Sequence, residues 1–155
     1  MAADELDEVD RRLLALAQVD GRRPYVELAA EVGLSVSAVN ERMRRLRARG
    51  VVRGVVALLA PRSVGLDVLA FVQVLLDRPE HEAAFRAGVV ATPEVLECHH
   101  VTGEWSYLLK VRTRDTGHLE EVLARGIKAL PGVVRTQTLI ALSSPKETTA
   151  LDLRR

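Results

Sequence analysis

Apolar residues between positions 6 and 17 recur three or four residues apart, which predicts an amphipathic first helix. The stretch DGRRP at residues 20–24 interrupts this pattern. A second, shorter helix is predicted over residues 25–32. Its inward-facing residues are expected to be Leu28, Ala29 and Val32.

A third helix is predicted to begin after Ser35, whose hydroxyl can cap the free backbone N–H groups of the first turn. Gly33 supplies the left-handed turn before it, and Gly50 follows the last helical residue, Arg49. The residues expected to be buried, at steps of three, four and three, are Val36, Val39, Met43 and Leu46. Two helices joined by a tight glycine turn predict a helix-turn-helix domain, winged-helix-like in type.

The second half of the chain follows another pattern. Its predicted elements are, in order, a strand at 66–76, a helix at 79–92, strands at 94–103 and 105–113, a helix at 115–132 and a strand at 133–142. This βαββαβ order is the ferredoxin-like arrangement, so the predicted fold class is α+β. Residues 51–59 form a candidate strand between the halves, where Pro61 and Gly65 mark a hinge.

These patterns divide the chain into a helix-turn-helix domain (1–50), a linker strand and hinge (51–65), a βαββαβ domain (66–143) and a C-terminal tail (144–155). The last strand is apolar on both sides. One side holds Val134, Thr136, Thr138, Ile140 and Leu142, and the other holds Val133, Leu139 and Ala141. Since two helices cover only one face of such a sheet, the open face is expected to meet a second copy in a two-fold dimer.

Composition narrows the class of protein. The 155 residues are 48% hydrophobic and 28% charged, as in a globular chain, and no apolar run reaches the ~18 residues of a membrane-spanning helix. The first ten residues carry five acids, unlike the basic start of a signal peptide. Cys98 is the single cysteine, so no internal disulfide can form. A cytoplasmic protein that does not associate with membranes is expected.

Charge is concentrated in one place. The chain has a net charge of +1, yet residues 35–55 carry six arginines and one glutamate. Such a local excess indicates a polyanion-binding surface, and its position on the third helix favours double-stranded DNA. The predicted base-reading residues are Ser37, Asn40, Glu41 and Arg42, with Ser35 at the helix start. The predicted phosphate contacts are Arg44, Arg45, Arg47 and Arg49.

Other chemistry finds little support in the sequence. Cys98, His99 and His100 suggest a metal, but alternate strand residues face opposite ways, so only Cys98 and His100 could share a side. Neither a glycine-rich phosphate loop nor a nucleophile elbow is present. At 3% aromatic residues, the sheet lacks the stacking surface of an RNA-binding domain. We therefore expect neither a metal, nor a cofactor, nor enzymatic activity.

The chain resembles the Lrp/AsnC (feast/famine) transcriptional regulators over nearly its whole length. The resemblance rests on four blocks in matching order: LDEVDRRLLALAQVDGRRPYVELAAEVGLSVSAVNERMRRL, VLECHHVTGEWSYLLKV, LPGVVRTQTLIAL and PKETTALDL. It implies that residues 66–143 bind an effector, an amino acid or related metabolite, and mediate assembly into dimers and octamers. Effector binding would then shift assembly or DNA affinity.

The resemblance also implies an effector site. The family's turn reads Gly-Asp-x-Asp-Tyr, and here it is Gly103-Glu104-Trp105-Ser106-Tyr107, preceded by Thr102. Thr136 and Thr138 match a Thr-x-Thr on the last strand, where hydroxyls can hold a carboxylate. Because Ser106 replaces an acid, a ligand with less need for ammonium pairing, or with an aromatic or aliphatic body beside Trp105, is expected. A tight hairpin with ordinary strand threonines is the alternative interpretation.

Two other functions remain open on the sequence. One is an architectural DNA-binding protein without a ligand. The other is an enzyme that resembles the sirohaem decarboxylases related to this family, for which His99, His100 and Arg112 are candidates.

Overall fold

The computed structural model describes residues 6–153 and divides into two compact units. One unit combines the described parts of residues 1–58 and 146–155, and the other comprises residues 59–145. In the part of the chain that the structure describes, there is no helix of the length and apolar character that a membrane span requires.

The first unit contains three helices: α1 (Glu8–Val19), α2 (Tyr25–Val32) and α3 (Val36–Ala48). Two local signals act as predicted, while α3 ends one residue before the predicted Arg49. Ser35 Oγ accepts a hydrogen bond from the Ala38 N–H (3.2 Å), and Gly33 ends α2 in the left-handed region at φ 67°. A helix-turn-helix results, as predicted.

The core of this unit lies between the three helices. Its buried residues are Leu13, Leu14, Leu28, Ala29, Val39, Met43 and Leu46. The prediction that Val36 is buried is wrong, since its side chain is 46% exposed. Val36 occupies the first turn of α3, one turn before the residues that pack on α1 and α2.

The C-terminal segment packs on the helix-turn-helix. Leu153 contacts its core, and the Gln18 side-chain amide forms two hydrogen bonds with the backbone of Leu151. The amide nitrogen donates to the Leu151 carbonyl (3.0 Å), and the amide oxygen accepts from the Leu151 N–H (2.6 Å). The structure thus places these residues in the first unit, where the sequence suggested a separate tail.

The linker departs from its prediction. Residues 51–59 contain no strand, and a short 3₁₀ helix (Pro61–Val64) follows them. A strand needs a hydrogen-bonded neighbour, and within the described residues no segment pairs with this one. Val56 and Leu58 are consequently 78% and 82% exposed.

The second unit is a four-stranded antiparallel sheet with two helices. The strands are β1 (Val68–Leu76), β2 (Val95–His100), β3 (Tyr107–Thr113) and β4 (Val133–Ile140), in the order β2-β3-β1-β4. Helix α4 (Glu82–Val90) follows β1, and α5 (Thr116–Glu121) continues as a π-helical segment, Val122–Ile127, before β4. The predicted α+β class and βαββαβ order are confirmed.

Register separates the two faces of the sheet. Val72 and Val74 on β1 are fully buried with Phe85, Val89 and Ile127 from the helices, and they define the helix-covered face. Alternate residues face the other way. The apolar members of this open face are Leu69, Phe71, Leu75, Leu108 and Leu139.

Candidate DNA-binding helix and ligand-binding loop

The exposed side of α3 carries a bidentate ion pair between Arg44 and Glu41. Arg44 Nε and Nη2 donate to the two carboxylate oxygens of Glu41 at 2.9 and 2.7 Å. The Arg44 guanidinium holds the pKa of Glu41 below its usual value, so this carboxylate stays charged and occupied. Of the residues predicted to read bases, Glu41 is therefore already paired within its own helix.

Arg42 has a different position from the predicted one. Its guanidinium lies against α1, where Nη1 contacts the carboxylates of Asp7 and Asp10, the latter at 2.8 Å. The side chain is only 24% exposed, and Asp10 is buried. Sequence reasoning missed this because the acids lie more than thirty positions upstream. In this unit Arg42 joins α3 to α1 and does not project from the surface.

The remaining predicted residues of α3 form an exposed surface. Ser37, Asn40, Arg45 and Arg47 are all exposed, and Ser37 Oγ lies 3.0 Å from Ser35 Oγ. Among residues 6–153, neither Arg45 nor Arg47 has an ion pair. Two exposed guanidinium groups, neither of them in an ion pair within the described chain, therefore lie on the same helix as an amide and a hydroxyl.

Asp7 both caps α1 and pairs with Arg42 of α3. We therefore expect the stability of the first unit to depend on pH in the acidic range. The Asp7 carboxylate caps α1 by accepting from the Asp10 N–H (2.7 Å); this bond, and then Arg42, hold the pKa of Asp7 below its usual value. A group whose pKa is lower in the folded state contributes stability above its unfolded pKa and loses it as pH falls through the folded value. Stability of the first unit should therefore fall below about pH 4.

Asp7→Asn should flatten this dependence between about pH 5 and pH 2, since asparagine can still cap but does not titrate. Amide hydrogen exchange of α1 to α3 measures the effect on this unit alone. Glu8→Gln removes the adjacent acid and serves as the control. An unchanged pH profile in Asp7→Asn would contradict the proposed contribution of this carboxylate.

The predicted effector turn lies in the loop between β2 and β3. Gly103 has φ 106°, in the region that favours glycine. Ser106 is anchored at three points: its N–H donates to the Val74 carbonyl (2.9 Å), its carbonyl accepts from Val101 (3.1 Å), and its Oγ accepts from the Leu76 N–H (3.1 Å). Leu76 adjoins an irregularity in the pairing of β1 with β4. The hydroxyl of Ser106 thus fixes the loop to the sheet.

Tyr107 is a core residue in this structure. Its ring is 2% exposed, 4.9 Å from the Phe85 ring and stacked on His100 at 5.0 Å. Its hydroxyl has no hydrogen-bond partner among the described residues, and burial, followed by the charge of Glu82, raises the pKa of Tyr107. Tyr107, which matches the tyrosine of the family motif, therefore packs in the core directly after the loop.

The two predicted threonines lie on the helix-covered side of β4. Thr136 pairs with Val74 and Thr138 with Val72, and both valines are fully buried. Directly opposite residues of antiparallel strands share a face. The structure therefore separates Thr136 and Thr138 from the residues of β4 that face the open side.

Arg135 is the residue that sequence reasoning missed. It pairs with Leu75 on the open face, its guanidinium forms an ion pair with Glu104, and it lies 4.5 Å from the centre of the Trp105 ring. The signal in the sequence was an arginine directly before the matched Thr136, which predicts nothing without the register. At the loop, the structure thus assembles a carboxylate, a guanidinium and an aromatic ring.

The candidate metal-binding residues are dispersed. Cys98 lies on the helix-covered face, where burial raises the pKa of its thiol, whereas the imidazole of His99 pairs with Glu97 (3.2 Å) on the open face. His100 is stacked on Tyr107. Across residues 6–153, no three His, Cys, Asp or Glu side chains converge on one point.

Family models match both units. The AsnC-type helix-turn-helix domain matches residues 6–47, and the Lrp/AsnC ligand binding domain matches residues 69–151. The leucine-responsive regulatory protein of Salmonella typhimurium is 38% identical over 152 residues, which cover 97% of this chain and 93% of that protein. That of Escherichia coli K12 is 37% identical over the same length.

Solved structures agree with these matches. A transcriptional regulator of Neisseria meningitidis in complex with L-methionine has a TM-score of 0.91 and 35% identity, covering 96% of this chain and 97% of that one. A feast or famine regulatory protein of M. tuberculosis, also complexed with L-methionine, has a TM-score of 0.88 and 39% identity, covering 95% and 99%. The chain therefore belongs to the Lrp/AsnC family of DNA-binding transcriptional regulators.

Proposed function

We propose that this regulator reads DNA with α3 and changes its DNA affinity or its assembly when a small metabolite, an amino acid or a related compound, binds the second unit. The observation that carries the proposal is the exposed surface of α3, where Arg45 and Arg47, which form no ion pair within residues 6–153, lie on the same helix as Ser37 and Asn40. Two structural neighbours contain L-methionine, which supports an amino acid as the effector.

The residues of α3 divide by role. Ser37 and Asn40, in the first turns, contact base edges in the major groove, where an asparagine can bond adenine in bidentate fashion. Arg44, Arg45 and Arg47 lie further along and contact phosphates. Ser35 caps the helix, Arg42 positions it against α1 through its ion pairs, and Glu41 is paired with Arg44 within α3. The last two assignments revise the prediction from sequence.

The open face of the sheet supports self-association. Phe71 and Leu75 on β1 and Leu139 on β4 lie there, and Leu139 is 48% exposed. A second copy packed face to face would cover them, and the resulting dimer would carry the two recognition helices that a two-fold DNA site requires. Assembly of such dimers into octamers remains part of the proposal, because the resemblance implies it.

Asn40→Ala tests base reading. Loss of a bidentate base contact should reduce the ratio of affinities for a selected duplex and a scrambled one by about tenfold, since such a contact contributes roughly 1–3 kcal/mol of discrimination. Fluorescence anisotropy with both duplexes measures the ratio. Arg45→Ala is the comparison, because a lost phosphate contact should weaken both duplexes alike. An unchanged ratio in Asn40→Ala would exclude this residue from base recognition.

A further inference from the structure

Glu41 and Arg44 balance each other's charge in the middle of α3. Arg44 Nε and Nη2 donate to the two Glu41 carboxylate oxygens at 2.9 and 2.7 Å, although the Arg44 and Glu41 side chains are 70% and 52% exposed. Arg45 and Arg47, on the same helix, form no ion pair within residues 6–153. The recognition helix therefore carries two kinds of arginine, one whose charge is balanced within the helix and two whose charge is not.

The pair lies on the side of α3 that the proposed function places against DNA. Ser37, Glu41 and Arg44 are four and three residues apart, a spacing that puts side chains on one side of a helix, and all three are exposed. The N-terminal part of a recognition helix reaches base edges, and residues further along meet phosphates. Glu41 is thus expected to lie between a residue near the bases and a residue near a phosphate.

A duplex acts differently on the closed and the open state of this pair. While the pair is closed its net charge is zero, so a phosphate attracts it only weakly. Opening the pair frees a guanidinium that can bind a phosphate, but it also leaves a carboxylate beside the polyanion. Holding the pair open therefore requires a hydrogen-bond donor on the DNA that takes the place of Arg44 at Glu41.

Cytosine is the base that presents such a donor without an acceptor. Its N4 amino group lies in the major groove, where guanine and thymine present acceptors and adenine presents the acceptor N7 beside its N6 amino group. A charged carboxylate can only accept hydrogen bonds. Of the four bases, cytosine therefore suits Glu41 best.

We propose that Glu41 determines specificity for cytosine by exchanging partners: on other sequences it retains Arg44, and at a cytosine it accepts the N4 amino group and releases Arg44 to a phosphate. The exchange is accessible because an exposed ion pair contributes only weakly to stability. The inference rests on the proposed function, since it requires α3 to lie in the major groove. It makes the phosphate contact of Arg44 depend on the base, whereas those of Arg45 and Arg47 do not.

Selection from random duplexes with the full chain tests the base. Duplexes selected by wild-type protein should share a cytosine, and replacing its C·G pair with T·A should weaken binding about tenfold, because thymine O4 would face the carboxylate. Glu41→Gln should lose the preference at that position alone, since the glutamine amide both donates and accepts. Fluorescence anisotropy measures the Kd of each duplex.

Binding to a scrambled duplex tests the exchange. Glu41→Gln removes the charge that holds Arg44, so the scrambled duplex should bind about fivefold more tightly. The slope of log K against log salt concentration should steepen by about 0.9, the contribution of one phosphate contact. A pair that merely stabilises α3 gives the opposite result, a loss of affinity for every duplex. The direction of the change therefore separates a role in recognition from a structural one.

Three further variants serve as controls. Glu120→Gln removes the same charge from an exposed position of α5 and should leave the slope and the cytosine preference unchanged. Arg45→Gln should weaken all duplexes alike and keep the preference for cytosine. Adding Arg44→Ala to Glu41→Gln should abolish the gain on the scrambled duplex, because that gain comes from Arg44.

The outcomes are distinguishable. If wild-type protein selects no duplex, the proposed function and this inference both fail. If it selects duplexes, the proposed function stands, and the inference is overturned in any of three cases. Glu41→Gln may not keep the wild-type base preference, weaken every duplex equally, or lose the preference without gaining affinity for the scrambled duplex. Loss of the cytosine preference together with tighter binding of the scrambled duplex supports the exchange.

Discussion

Replacing Arg45 and Arg47 together with alanine is expected to weaken binding to every duplex by one to two orders of magnitude and to reduce the salt dependence of binding. Each phosphate contact contributes about 0.9 to the slope of log K against log salt concentration, so the slope should fall by about two. The reason is that both guanidinium groups are exposed on α3 and lack an internal ion pair in the described chain.

Titrations of a labelled duplex at several salt concentrations measure both quantities. Arg114→Ala with Arg125→Ala removes the same charge from exposed positions of the second unit and is the matched control. The control should leave the slope within experimental error of the wild type. Equal losses in the two double variants would mean that net charge, rather than the surface of α3, determines DNA affinity.

Gly132→Ala should destabilise the second unit by about 3 kcal/mol. Gly132 has φ 78°, which costs other residues about 1–2 kcal/mol, and an added Cβ would lie 2.5 Å from the His81 Cβ, an overlap that costs about as much again. Its carbonyl accepts a hydrogen bond from the Asp77 N–H (2.9 Å), and His81 is bonded to Asp77 (2.7 Å). The turn before β4 therefore has little room to relax.

Gly65→Ala is the matched control for this variant. Gly65 has nearly the same φ, 74°, but a Cβ there meets nothing within 4 Å, so only the conformational cost of about 1–2 kcal/mol remains. Urea unfolding followed by Trp105 fluorescence reports on the second unit, which contains both glycines. Similar midpoints for the two variants would show that the contact with His81 is not tight in solution.

The elements that sequence predicts well here are set by local signals. The signals that predict the helix-turn-helix act within one or two helical turns. They are the capping residue Ser35, the turn residue Gly33 and the apolar spacing from Val39 to Leu46. The strands of the second unit are predicted for the same reason, since alternation and flanking turns are local properties. These features, together with four ordered sequence blocks, were sufficient to indicate the family.

The features that sequence could not predict depend on distant partners. Arg42 looks like its neighbours on α3 until Asp7 and Asp10 are placed beside it, and Arg135 becomes part of the candidate site only through Glu104 and Trp105. Residues 51–59 have strand-like composition but find no pairing partner in the described chain. The packing of Leu153 on the first unit likewise joins residues far apart in the sequence.

The central claim, that a metabolite bound by the second unit changes the DNA affinity of α3, has one direct test. A duplex obtained by selection from random sequences is titrated with the full chain, with and without saturating amounts of the most tightly binding amino acid. The account predicts a change in the Kd of the duplex of at least about fivefold, and the same factor in the Kd of the ligand when duplex is present. A ligand that binds while the Kd of the duplex stays constant would contradict it and favour an architectural DNA-binding protein.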